Sequence, residues 1–176
     1  METSTKSSSI NYGLYLGVIL AAITVLCYAI KLELLVNFWL VLVALPILII
    51  MFGVISVVKS RNILEGFISF KQAFSSYFIT VAIGIIISTI ISYLIFNFVD
   101  PEAALHLKSL AIEKTEITMK NWGAPLDEIA KQVEAMENQD SQSISAQLFS
   151  LAQSLVFFAV IGLIVALIMK RNPENA

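Results

Sequence analysis

The residues able to do chemistry in this chain fall into three groups. The segment "SYFITVAIGIIISTIIS", residues 76–92, sets Ser76, Thr80, Gly84, Ser88 and Ser92 at every fourth position of an otherwise apolar run. Hydroxyls in such a row could line a path for a polar solute. His106, the only histidine, follows Glu102 by one helical turn and could share a metal ion with it. Asp127–Glu128 and Glu113–Glu116 come nearest to a carboxylate pair for acid–base work.

Each group has a plainer reading. A solute path through a membrane adds ionisable groups, a broken helix or clustered amides near the midplane, and residues 76–92 carry none. Small residues four apart instead let helix backbones approach closely, which is how helices associate in lipid. Gly13, Gly17 and Ala21 repeat the spacing in the first apolar run, and Ser150, Ser154, Gly162 and Ala166 offer a looser version in the last. Strict four-residue spacing drifts around a helix, so the seam should coil and favour a right-handed crossing. The residues assigned to helix packing are therefore Gly13, Gly17, Ala21, Ser76, Thr80, Gly84, Ser88 and Ser92.

A useful metal site needs three or four ligands, so His106 reads as one member of a wet surface stripe. Asp127 and Glu128 suit the first turn of a helix, where the backbone dipole favours anions. The chain has no Gly-rich phosphate loop, nucleophile motif, cysteine pair or zinc spacing. No catalytic, cofactor or metal residue is assigned, and no cofactor is expected. Its scattered basic residues do not make a nucleic-acid surface, although they suffice to attract anionic lipid.

The elements that carry these residues are set by apolarity. Of 176 residues, 58% are apolar and 14% charged, against about a quarter charged in soluble domains. A membrane-spanning helix needs about 20 apolar residues. Four runs qualify, at about 12–30, 35–58, 74–98 and 148–169, with no charge inside them. Backbone amides in hydrocarbon must be paired within the segment or a closed barrel, and these runs lack the polar–apolar alternation of barrel strands. The expected fold is all-α: a four-helix integral membrane protein forming one domain over 1–176. The first run is long for a signal peptide and lacks a small-x-small site, so it reads as an uncleaved span. The single Cys27 can form no internal disulfide.

Lys and Arg accumulate on the cytoplasmic side of membrane proteins. Lys6, Lys59, Arg61, Lys71, Lys170 and Arg171 lie in short segments near span ends, which sets both termini in the cytoplasm. The long segment 99–146 is acidic and falls on the other side. Tyr12, Tyr15, Phe74, Tyr77 and Phe78 would mark the inner interface, and Tyr28, Trp39, Tyr93, Phe96 and Phe98 the outer one. Asn37 suits a cap for the second span, and Pro46 should kink it.

Two segments lie outside the spans. In 61–73, Asn62, Glu65, Ser69 and Gln72 oppose Ile63, Phe67 and Phe70, which predicts an amphipathic surface helix forming an elbow into the third span. In 99–146, Asp100–Pro101 is a strong helix start, and "NWGAP" ends that helix and begins another. The result is a helical hairpin outside the cytoplasm. It is too apolar to stand uncovered and needs a partner or the headgroup layer over it: Leu107, Leu110, Trp122, Leu126, Ile129 and Val133 are candidates to bind a partner, with membrane contact or local packing the alternatives for Trp122.

The order of four spans, "GFISFKQAF" before the third, "FNFVDP" closing it, an acidic hairpin and a final "GLIVALIMKR" resembles the small Bacteroidetes membrane proteins grouped as domain of unknown function 4199. The resemblance covers nearly the whole chain, Gly66–Phe74 and Phe96–Pro101 best. It implies a bacterial inner-membrane protein and no established activity. It also carries a family-level association with a membrane-linked glycosyltransferase.

Three functional classes follow. The first is a non-catalytic accessory or scaffold protein, bound in the lipid bilayer to a membrane partner or to its own copies. The second is a small transporter or channel subunit, and the third a membrane enzyme acting on lipid. Missing chemistry beside abundant packing surface favours the first.

Overall fold

A computed structural model describes residues 2–140 and 143–171. The fold is all-α, with six α-helices among the described residues: α1 (Glu2–Ile30), α2 (Leu45–Ile63), α3 (Phe70–Leu94), α4 (Pro101–Asn121), α5 (Leu126–Asn138) and α6 (Ile144–Met169). Four stretches are long and apolar enough to cross a bilayer: Thr3–Ile30, Leu40–Ile63, Phe70–Val99 and Ile144–Met169. This is the pattern of a multi-pass membrane protein.

α3 sits at the centre and packs against α1, α2 and α6, while α1 and α6 do not meet among the described residues. Residues of all four spans, Leu16, Val57, Tyr77, Val81 and Phe158 among them, form one buried cluster around α3. Most outward residues of α6, such as Phe149, Phe157 and Leu167, are exposed and apolar, as a lipid-facing surface requires.

The helix boundaries follow local chemistry. Asn37 Oδ1 accepts hydrogen bonds from the amides of Trp39 and Leu40, at 3.0 and 3.2 Å. Pro46 cannot donate the bond expected of its position, and the preceding turn, Leu40–Ala44, is a π-turn closed by Leu45 N–H on Leu40 O. The irregularity thus lies just before the proline, and Pro46 itself falls in the first turn of regular helix. Asp100 Oδ1 caps α4 by accepting from Ala103 N–H at 2.9 Å.

Two expectations are corrected. The first helix starts ten residues before Tyr12, because Thr5 and Ser9 are buried against the bundle. The segment 61–73 is an elbow but contains no separate surface helix. Residues 61–63 finish α2, and Gly66 N–H bonds back to Arg61 O at 2.9 Å. Glu65 and Gly66 adopt left-handed φ of 59° and 93°, a helix stop that glycine makes cheap. Ile68 then exchanges two backbone hydrogen bonds with Arg171, at 3.0 and 2.9 Å. This pairing draws the elbow to the end of α6.

Ser69 and Gln72 form a reciprocal cap on α3. Ser69 Oγ accepts from Gln72 N–H, and Gln72 Oε1 accepts from Ser69 N–H at 3.0 Å. Their spacing is a capping-box signature. Ser69→Ala is expected to cost about 1 kcal/mol of stability, measured by thermal unfolding in detergent. An unchanged midpoint would show that the box does not hold this end of α3.

Candidate functional site

The functional candidates converge on α3, which presents small residues to three neighbours. Along the α1–α3 seam the two helices interdigitate. A Cβ on Gly13 would lie 2.8 Å from Ile83 Cβ and 3.0 Å from Thr80 O, and one on Gly17 2.8 Å from Ile87 Cβ. In the reverse sense, a Cβ on Gly84 would lie 2.6 Å from Leu16 Cγ. Real Cβ atoms do not approach this closely, so the seam admits only glycine at these points. Ala21, Ser88 and Ser92 are half-buried further along. Ser92 and Thr24 border a cavity of about 410 Å3 under α4 and α5.

Toward the N-terminal end of α1, the seam becomes a closed cluster of hydroxyls. Thr80 Oγ1 lies 2.9 Å from Ser9 O and 2.8 Å from Ser56 Oγ. Ser56 Oγ lies 3.3 Å from both Ser9 Oγ and Ser76 O. Ser76 Oγ donates to Ser60 Oγ at 2.9 Å, and Ser9 Oγ to Thr5 O at 3.0 Å. Ser9, Ser56, Ser60, Ser76 and Thr80 are all buried. Because α1, α2 and α3 each contribute, the cluster joins three spans through buried side chains. The sequence reading found Ser76 and Thr80 but missed Thr5, Ser9, Ser56 and Ser60. Their signal was present, since each pair is spaced four apart.

Tyr77, expected at the membrane interface, is in fact fully buried at 0% exposure. Its ring is wedged between Gly53 of α2 and Gly162 of α6. A Cβ on Gly53 would lie 2.5 Å from Tyr77 Cδ2, and one on Gly162 2.6 Å from Cδ1. The hydroxyl has no hydrogen-bond partner among the described residues. Such an orphaned group costs about 1–3 kcal/mol. Tyr77→Phe is therefore expected to keep the wedge and match or exceed the wild-type unfolding temperature. A clear loss would mean that the hydroxyl is engaged.

The other end of the bundle is tied differently. Tyr28 Oη donates to Asp100 Oδ2 at 2.9 Å, joining the end of α1 to the start of α4. The Ala103 amide and then the Tyr28 hydroxyl hold the Asp100 carboxyl below its ordinary pKa of 3.8. A lowered folded pKa makes the contribution complete above that ordinary value and lost as pH falls through the folded one. Stability measured by melting should fall over this acid range, and Asp100→Asn should reduce that dependence. An identical pH profile in the variant would exclude Asp100 as its source. His106 and Glu102 border the same shallow depression. No group of three metal-ligating side chains occurs among the described residues.

α5 folds back along α4, with Lys108 Nζ donating to Glu137 O at 2.7 Å and Gln139 O at 2.9 Å. The candidate partner residues divide. Leu110 and Ile129 are buried and Leu107 and Val133 half-buried, so this set is largely covered by the chain itself. That corrects the expected contact face: Trp122 and Leu126 remain 75% and 74% exposed. Trp122 also lines an apolar groove of about 410 Å3 with Phe38, Val41, Leu42 and Met119.

No curated protein and no solved structure matches the chain significantly. The family described as "Protein of unknown function (DUF4199)" matches residues 11–171. The match takes in most of the first span, the other three, the glycine seams and both helices between the third and fourth spans, so the chain belongs to the DUF4199 family.

Proposed function

We propose that this protein is a non-catalytic accessory component of the bacterial inner membrane that holds a membrane protein partner. Both termini then lie in the cytoplasm, and 99–146 lies in the periplasm. The observation carrying this reading is the exposed apolar corner where α4 turns into α5. Trp122 and Leu126 stand there in full view, beside a groove that reaches the second span. Exposed aromatics beside apolar pockets are typical anchors for a partner. The orientation has support from the bundle's basic end: the Ile68–Arg171 backbone pair joins the elbow to α6, and Lys6 and Lys71 line one cavity. Lysines and arginines gathered at one end favour the cytoplasm.

A photoreactive residue in place of Leu126, activated in native membranes, tests the reading. A discrete protein adduct that disappears when Trp122→Ser is added is the expected result. Adducts with lipid alone would overturn it. A glycosyltransferase among the captured proteins would connect this chain to the enzyme class associated with its family.

A further inference from the structure

Next to the hydroxyl cluster, at the bundle end that carries the N-terminus, lies a cavity of about 450 Å3. Thr5, Lys6 and Ser9 of α1 face Lys71, Ser75 and Ser76 of α3 across it. Ser9 and Ser76 are buried, while Lys6 and Lys71 are exposed at its margin. Both lysines stand in the first turns of membrane-spanning stretches, near the height of lipid headgroups. Among the described residues no carboxylate lines the cavity, and neither lysine forms an ion pair. Two lysines and several hydroxyls therefore border one cavity with no anionic counterpart among the described residues. The first turn of α3 adds the positive end of its dipole.

We propose that this cavity binds a phosphate group, with Lys6 and Lys71 as its charged donors and the hydroxyls of Thr3 and Ser75, which also line it, as neutral ones. Ammonium–phosphate hydrogen bonds are charge-assisted and strong, and hydroxyls complete the coordination of the remaining oxygens. The group comes either from an anionic phospholipid headgroup or from free phosphate. The site is independent of the partner reading, because it lies at the opposite end of the bundle from Trp122 and Leu126. It requires only that the four helices span a bilayer.

Lysine acetylation of the full chain in nanodiscs, resolved residue by residue by mass spectrometry, tests the site. Exposed Lys59 of α2 serves as the internal reference. One arm compares phosphatidylcholine discs with discs also containing phosphatidylglycerol, and a second adds inorganic phosphate to phosphatidylcholine discs. Lys6 and Lys71 should slow about fivefold relative to Lys59 in one arm, as one favourable lysine contact implies. Slowing in the first arm identifies the lipid headgroup, and slowing in the second identifies free phosphate. Lys71→Gln should remove most of the protection of Lys6. Acetylation of all three lysines in step in both arms, as diffuse surface charge would give, overturns the proposal. Full protection of Lys6 in Lys71→Gln overturns the shared site.

Discussion

Gly53→Ala is expected to unseat Tyr77 and loosen α3 from both α2 and α6. The added methyl would lie 2.5 Å from Tyr77 Cδ2 and closer still to Cε2. An exposed ring would swing away, but this ring has Gly162 on its other side, where a Cβ would come within 2.6 Å of Cδ1. Relief on one side is compression on the other. Overpacking a tight core usually costs about 1–3 kcal/mol, and a clamped ring belongs at the upper end. The unfolding temperature in detergent should fall markedly for Gly53→Ala and for Gly162→Ala. Tyr77→Leu should soften the effect of either glycine change, because contacting residues couple. Wild-type melting of both alanine variants would show that the ring is not held in this way.

Gly84→Leu should have the larger effect, because the obstruction is a whole side chain. A Cβ alone at this position meets Leu16 Cγ and Cδ2 at 2.6 Å and Leu16 Cβ at 3.1 Å. A leucine adds three more carbons toward a helix with no room to receive them. α1 must then retreat from α3 at a cost of about 3 kcal/mol or more. The retreat also stretches the link between Thr80 Oγ1 and Ser9 O, one turn away in the same seam. Damage should therefore exceed that of a local clash and appear as loss of folded protein on detergent extraction. Leu16→Ala placed with Gly84→Leu should recover part of the loss by exchanging volume across the seam. Normal extraction and melting of Gly84→Leu alone would mean that α1 does not pack there.

The spans, the caps at Asn37 and Asp100 and the turn after α4 were legible because each depends on nearby residues. Asp100–Pro101 starts a helix by its own chemistry, and Asn37 caps the second span from two residues away. Gly123, at φ 76°, lies in the break that "NWGAP" announces. Contacts between distant segments were not legible. "TSTKSSSI" looks too wet to belong to a span until α2 and α3 supply partners for Ser9. Tyr77 has the composition of an interface residue, and only Gly53 and Gly162, 24 residues before it and 85 after it, turn it into a core wedge. In the same way Leu110 and Ile129 look like free apolar surface until α5 folds over α4. The elbow failed for a different reason: its alternation of polar and apolar residues suits a surface helix, but left-handed Glu65 and Gly66 break it.

The α3 seams bear directly on function, because they separate adhesion from passage. The four serine hydroxyls beside Thr80 bond with it to one another and to backbone carbonyls, and glycines pressed against Ile83, Ile87 and Leu16 close the seam beyond them. A path for solute would need these contacts to open. Their closure argues against such a path and agrees with the partner surface proposed at Trp122.

The most direct test is the access of water to the centre of that seam. Thr80→Cys in a Cys27→Ala background, reconstituted in liposomes, can be exposed to small charged thiol reagents from both sides. Lys59→Cys provides the accessible reference. A packed seam predicts that Cys at 80 stays unlabelled while Cys at 59 reacts. Rapid labelling at 80 in folded protein would reveal a hydrated passage along α3 and contradict the proposed adhesive role.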